Sequence, residues 1–137
     1  MDTLSPQQRS ERMARVRSRN TKPEMAVRRL LHSLGYRYRV HGAKLPGRPD
    51  MVFTKRRKVI FVHGCFWHRH PGCKNTRLPK TKLDFWVPKL AENERRDAEN
   101  LSRLSADGWD ALVIWECEVK NLSKHLERIT SFLGPAR

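Results

Sequence analysis

From residue 21 onward the apolar positions change period several times, and each change predicts an element. Val27, Leu30, Leu31 and Leu34 recur at helical spacing. Thr21 can cap that helix, Pro23 suits its first turn, Glu24 completes a capping box and Gly35 ends it. Tyr36-Arg-Tyr-Arg-Val40 alternates as a half-buried strand. His41 to Pro49 is a loop punctuated by Gly42, Pro46, Gly47 and Pro49. Two strands are predicted over Asp50–Thr54 and Lys58–Val62, joined by the turn Lys55-Arg-Arg57. Residues 63–83 read as a long irregular loop, the kind that usually carries function in a compact domain. A helix should run from Asp84 to Ala106, with Pro88 tolerated only in its first turn or at a break, and Gly108 ends it. Trp109–Trp115 predicts a buried strand. A closing helix follows over Glu118–Phe132, with Leu122, Leu126, Ile129 and Leu133 inward. The order predicts an α/β fold with a mixed central sheet flanked by helices, one domain over 21–137 behind a separate segment 1–20.

If Lys55-Arg-Arg57 is a tight hairpin centred near Arg56, Asp50 stands opposite Val62 or His63, at the mouth of the 63–83 loop. That loop opens with His63-Gly-Cys-Phe-Trp-His-Arg-His-Pro-Gly-Cys73, which holds three of the six histidines and two of the three cysteines. Packing alone does not call for such a density of ligand-type residues.

Charge narrows the class. The 137 residues carry 29 Lys and Arg against 14 acids, a net +15, and nucleic acid is the commonest partner that relieves such an excess. Arg9, Arg12, Arg15, Arg17 and Arg19 make residues 1–20 a basic arm, with Met13 able to act as a minor-groove wedge; a solvated terminus is the alternative. No apolar run is long enough to span a membrane, and the N-terminus lacks a signal-peptide core, so a cytoplasmic protein is expected.

Cys65, His70 and Cys73 have the spacing C-x4-H-x2-C, and Cys117 follows the last strand. Together they make a Cys3His set suited to a structural zinc. The alternatives are that His68 is the ligand and His70 is free, or that Cys117 is an ordinary core cysteine. Phosphodiester hydrolysis needs a carboxylate for Mg²⁺ and a base to activate water. Asp50 can be the first and His68 the second, while His63 could contact a phosphate or protonate a leaving group. Asp50 can equally cap a turn after the proline loop, and Glu24 reads first as a capping acid. Asn93 and Asp97 share a helix face, with a polar surface pair as the plain reading. Glu116 and Cys117, read as a strand end, point to opposite faces and cannot serve one site. Phe66, Trp67 and Trp86 are aromatics of a kind that can wedge between base pairs, or else pack around the metal.

Several of these residues form an ordered set: Leu45-Pro-Gly-Arg-Pro-Asp50; Phe61-Val-His-Gly-Cys-Phe-Trp-His68; Phe85-Trp86 with Lys89, Asn93, Arg96 and Asp97; Gly108-Trp109 leading to Trp115-Glu-Cys117; and upstream Arg9-Ser10, Met13 and Asn20-Thr21 with Glu24. Over roughly residues 7–120 this set resembles the very short patch repair (Vsr) DNA mismatch endonucleases. The resemblance implies a restriction-endonuclease-like fold of the PD-(D/E)XK superfamily with a structural zinc. It also implies Mg²⁺-dependent nicking of one strand 5′ to the T of a T:G mismatch left by deamination of 5-methylcytosine. In that picture Asp50 binds Mg²⁺, His68 is the general base, His63 helps at the scissile phosphate and Glu24 orients the base. Phe66, Trp67 and Trp86 enter the stack, and the arm with Met13 clasps the minor groove. Arg9, Arg12, Arg15, Asn93 and Asp97 are candidate DNA contacts. Phe61-Val62-His63 stands where the superfamily has E-x-K, so Val62 can offer a metal only its backbone carbonyl. A bacterial monomer acting at the nucleoid is implied, with a mismatch-repair coordinator as a candidate partner. Two other readings fit the charge and the zinc: a non-catalytic zinc-stabilised DNA-binding module, and a restriction-type endonuclease cutting both strands. A pure binder, however, has no use for a carboxylate facing phosphate.

Overall fold

A computed structural model describes residues 20–136. The arm residues Arg9, Arg12, Met13 and Arg15 lie outside the described residues. Helix α1 (Lys22–Ser33) leads to β1 (Arg39–Val40), β2 (Met51–Phe53) and β3 (Lys58–His63); then come a short helix α2 (Cys65–His68), a 3-10 turn (Lys74–Thr76) and the long helix α3 (Leu83–Ala106). Strand β4 (Asp110–Trp115), the single-turn helix α4 (Glu116–Val119) and α5 (Leu122–Leu133) complete the described chain. The sheet order is β1-β2-β3-β4, antiparallel except for β3 and β4, which run parallel through α3 as crossover. This is the mixed sheet flanked by helices that the apolar periods predict.

Alternation along the strands builds two cores. Met51, Phe53, Ile60 and Ile114 face α1 and α5, where they meet Val27, Leu31, Ile129 and Leu133. Val52, Val59 and Phe61 face α3 and pack on Leu104, with Leu101 and Trp109 alongside. Both faces are apolar because helices cover both, which is why these strands read as near-continuous hydrophobic runs.

Four expectations change. Leu34 caps α1 and is exposed rather than inward. The Tyr36–Val40 strand shrinks to Arg39–Val40, and Tyr36 and Tyr38 donate their hydroxyls to the Gly134 and Arg28 carbonyls. The 63–83 loop contains a helix and a 3-10 turn. Pro88 sits in the second turn of an unbroken α3; both it and Asp84, whose carbonyl loses its donor, are solvent-exposed, so the missing bond is cheap there. The C-terminal segment is tied back by Arg56, which donates to the Leu133 and Pro135 carbonyls.

Candidate active site and metal centre

The β2–β3 register pairs Met51 with Ile60, so its continuation sets Asp50 across from Phe61, one residue short of the predicted partners. The functional consequence is retained, because Asp50 Oδ2 accepts the Val62 backbone N–H at 2.6 Å. Asp50 is thus locked at the β3 end that bears His63. Burial pushes its carboxyl up to about 7; the neighbouring Glu24 carboxylate adds to this, while the Val62 N–H and His68 oppose it.

Glu24 arrives from the first turn of α1. Thr21 accepts the Glu24 N–H at 3.3 Å, and Glu24 Oε1 reaches back to the N–H of Asn20 rather than to the capping residue itself. The capping role is therefore real in shifted form, but it does not exhaust Glu24. The residue is 2 % exposed, and its Oε2 bonds Arg28 Nη1 at 3.0 Å and His41 Nε2 at 2.9 Å. His41 also donates its backbone N–H to the Asp50 carbonyl at 3.1 Å. His41 is not singled out by the sequence, since no local pattern announces a pairing across seventeen residues of chain; Arg28 pairs with Glu24 one helical turn away, at the i,i+4 spacing of an ordinary helix ion pair.

His68 ends α2, and its Nδ1 lies 2.5 Å from Asp97 Oδ2 on α3. The carboxylate fixes the ring through one nitrogen and leaves Nε2 available. His63 stacks on His68, with ring centroids 3.8 Å apart and planes at 8°. It is 7 % exposed and its Nδ1 has no hydrogen-bond partner. Burial, assisted by His68, lowers its pKa to about 3, so it is a neutral imidazole at physiological pH. Asp50, Val62, His63 and His68 border two adjoining cavities of about 410 and 390 Å³. Asp97 lines the first, Glu24 and Glu116 the second.

The surface-pair reading of Asn93 and Asp97 does not survive. Asn93 is buried and its Nδ2 donates to the Trp67 carbonyl at 3.4 Å, so this face of α3 braces the C-terminal end of α2. Phe66, Trp67 and Trp86 form one aromatic cluster with centroids 5.3 to 5.7 Å apart, Phe66 edge-on to both tryptophans and the two indoles tilted to each other. Trp86 is its buried base, 7 % exposed, whereas Phe85 beside it is 50 % exposed.

On the other side of α2, Cys65, His70, Cys73 and Cys117 bring their ligand atoms within 4.8 Å of one another. His70 Nδ1 faces Cys65 Sγ at 3.7 Å and Cys117 Sγ at 3.4 Å, and its ring stacks on Trp115. Burial pushes the Cys65 thiol up to about 12 and raises Cys117 as well, whereas the Asn75 backbone N–H lowers Cys73. The donor set fits a metal ion, and His68, held by Asp97, is not part of it. Glu116 and Cys117 serve different places as the sequence suggests, but because they lie on a helical turn rather than a strand end.

The model of the family described as DNA mismatch endonuclease Vsr matches residues 1–75, more than half of the chain. A type II nicking enzyme, V.XorIIP of Xanthomonas oryzae pv. oryzae, is 51 % identical over 135 residues, 98 % of each chain. The DNA mismatch endonuclease Vsr of Escherichia coli is 42 % identical over 116 residues, covering 85 % of this chain and 74 % of that protein. A further type II nicking enzyme, V.NmeAIP of Neisseria meningitidis, is 40 % identical over 128 residues, 93 % of this chain and 91 % of its own. The chain belongs to the Vsr family of DNA mismatch endonucleases.

Proposed function

We propose that this chain nicks one strand of duplex DNA 5′ to the T of a T:G mismatch and so starts very short patch repair of deaminated 5-methylcytosine. The observation that carries the reading is one cleft in which a carboxyl, Asp50, meets a carboxylate-held imidazole, His68, beside an aromatic cluster. Asp50 with the Val62 carbonyl would hold Mg²⁺, which when bound neutralises charge developing on the scissile phosphate. Asp50 lines a pocket that Glu24 also borders, and a carboxyl beside a backbone carbonyl offers the oxygen donors that suit a hard cation.

His68 takes a proton from the attacking water through Nε2, while Asp97 holds the ring and stabilises the imidazolium that forms. His63, neutral and stacked on His68, contacts the phosphate as a hydrogen-bonding group rather than as an acid. Glu24, fixed by Arg28 and His41, orients the groups around Asp50. Phe66 and Trp67 enter the base stack beside the mismatch, and Trp86 supports them from below. A T:G pair costs less to unstack than a matched pair, which gives such wedges their selectivity. Zinc on Cys65, His70, Cys73 and Cys117 staples the loop that presents all of this. The arm with Arg9, Arg12, Met13 and Arg15 clasps the DNA from the other side. A non-catalytic binder would gain nothing from Asp50, whose charge repels phosphate.

Cleavage of matched and T:G-mismatched duplexes with Mg²⁺, by wild type and Asp50→Ala, tests the reading. A single nick in the T strand of the mismatched duplex, absent in the variant, is expected. Equal cleavage of both duplexes sinks mismatch specificity, and persistent cleavage by Asp50→Ala sinks the role of Asp50.

A further inference from the structure

Strand β3 brings no carboxylate to the cleft, and of the carboxylates around Asp50, Glu24 is already saturated by Asn20, Arg28 and His41. The remaining carboxylate on the second cavity is Glu116, delivered by the turn after β4. The parallel pairing of His63 with Trp115 sets it next to the His63 end of β3, and packing of α1 against α4 closes the cavity on that side. Glu116 is exposed and makes no hydrogen bond or ion pair among the described residues, although Lys22 shares the cavity wall. Glu118, two residues on, behaves quite differently. It bonds the Trp115 N–H at 2.8 Å and Arg128 at 3.0 Å, as expected of a structural acid.

In a cleft that receives DNA, as the proposed function has it, an unpaired carboxylate repels the phosphate backbone unless a cation lies between them. Independently of the acids, the buried His63 borders the same cavity with an unpartnered Nδ1, a polar group that lacks a ligand within the protein. We infer that Glu116 is the second acid of the divalent-cation site, acting across the cavity from Asp50 in the place that β3 leaves without a carboxylate. The inference rests on the reading of Asp50 as a Mg²⁺ ligand.

Mn²⁺ alone, titrated into the zinc-loaded full chain without DNA and followed by the loss of the free-ion paramagnetic resonance signal, tests it. Asp50→Asn should abolish the tight phase. Glu116→Gln should weaken it about three- to tenfold, as removal of one anionic ligand does, with zinc content unchanged, and Glu118→Gln should leave it unaltered. Wild-type Mn²⁺ affinity in Glu116→Gln overturns the proposal. Loss of zinc from that variant also overturns it, since Glu116 would then serve the neighbouring Cys/His cluster. Should Asp50→Asn bind Mn²⁺ like the wild type, the reading of Asp50 itself fails, which is a different result from failure of Glu116 alone.

Discussion

Asp50 shows how a single side chain can be placed at the expense of stability. An ordinary Asp carboxyl titrates near 3.8, whereas burial beside Glu24 holds this one at about 7. Below pH 4 the group is protonated in folded and unfolded chains alike and costs nothing. Between pH 4 and 7 the unfolded chain ionises and the folded one does not, so stability falls as pH rises; above 7 the full penalty is present. A shift from 3.8 to about 7 corresponds to at most about 4 kcal/mol. Asp50→Asn, which can still accept the Val62 N–H, should therefore melt above the wild type at pH 8 without added Mg²⁺, and the gap should close near pH 4. Added Mg²⁺ should raise the wild type and leave the variant unmoved. Identical melting curves at pH 8 would show that the carboxylate is not desolvated. Asp50 and His68 stand out in the sequence as candidates because each is an odd residue in its place, a carboxylate at a strand mouth and a histidine inside a Cys/His run. The pairings around them do not. Asp97 acquires its bond to His68, and His41 its bond to Glu24, only when chain segments 29 and 17 residues apart meet.

At the scale of elements, local signals locate what local physics decides. The α1 cap, the Gly35 and Gly108 stops and the apolar strands β2, β3 and β4 all stand where periodicity and turn residues put them. Helix α2 is different: four residues, Cys65–His68, with no side-chain cap, too short to be stable by propensity. Its conformation comes from outside. Asn93 and Asp97 grip one side, and the Cys/His cluster grips the other. No local sequence pattern announces such a helix, which is why the segment reads as a loop. Cys117→Ala removes the one donor of the cluster that comes from beyond α3, so it should release zinc, measured by elemental analysis. It should also free the 65–77 segment to protease and lower the melting temperature, because bound zinc contributes folding free energy directly. Full zinc content in Cys117→Ala would refute the ligand set. Gly42 follows His41, which lines the first cavity. A Cβ there would come within 2.7 Å of Val52 Cγ2, so the loop that leaves β1 through His41 runs against β2 at a distance that a side chain would force open.

For the whole molecule the relevant quantity is charge. At +15 most of the affinity for any duplex must come from phosphate contacts and counterion release, which carry no mismatch information. Selectivity has to be gained locally, a part the proposed function gives to Phe66 and Trp67, above a large nonspecific background. The two contributions separate by salt. Residues 1–20 hold five arginines, Arg9, Arg12, Arg15, Arg17 and Arg19, against the two acids Asp2 and Glu11. Deleting residues 2–19 should therefore reduce the slope of log affinity against log salt by about 3, at roughly 0.9 for each phosphate no longer neutralised. It should weaken binding to matched and mismatched duplexes alike. Phe66→Ala with Trp67→Ala should do the reverse, leaving the slope intact while shrinking the ratio of mismatched to matched affinity. Fluorescence anisotropy on both duplexes across a salt series reads both quantities at once. An arm deletion that leaves the slope unchanged would show that the arm does not touch phosphate, and the clasp would have to be abandoned.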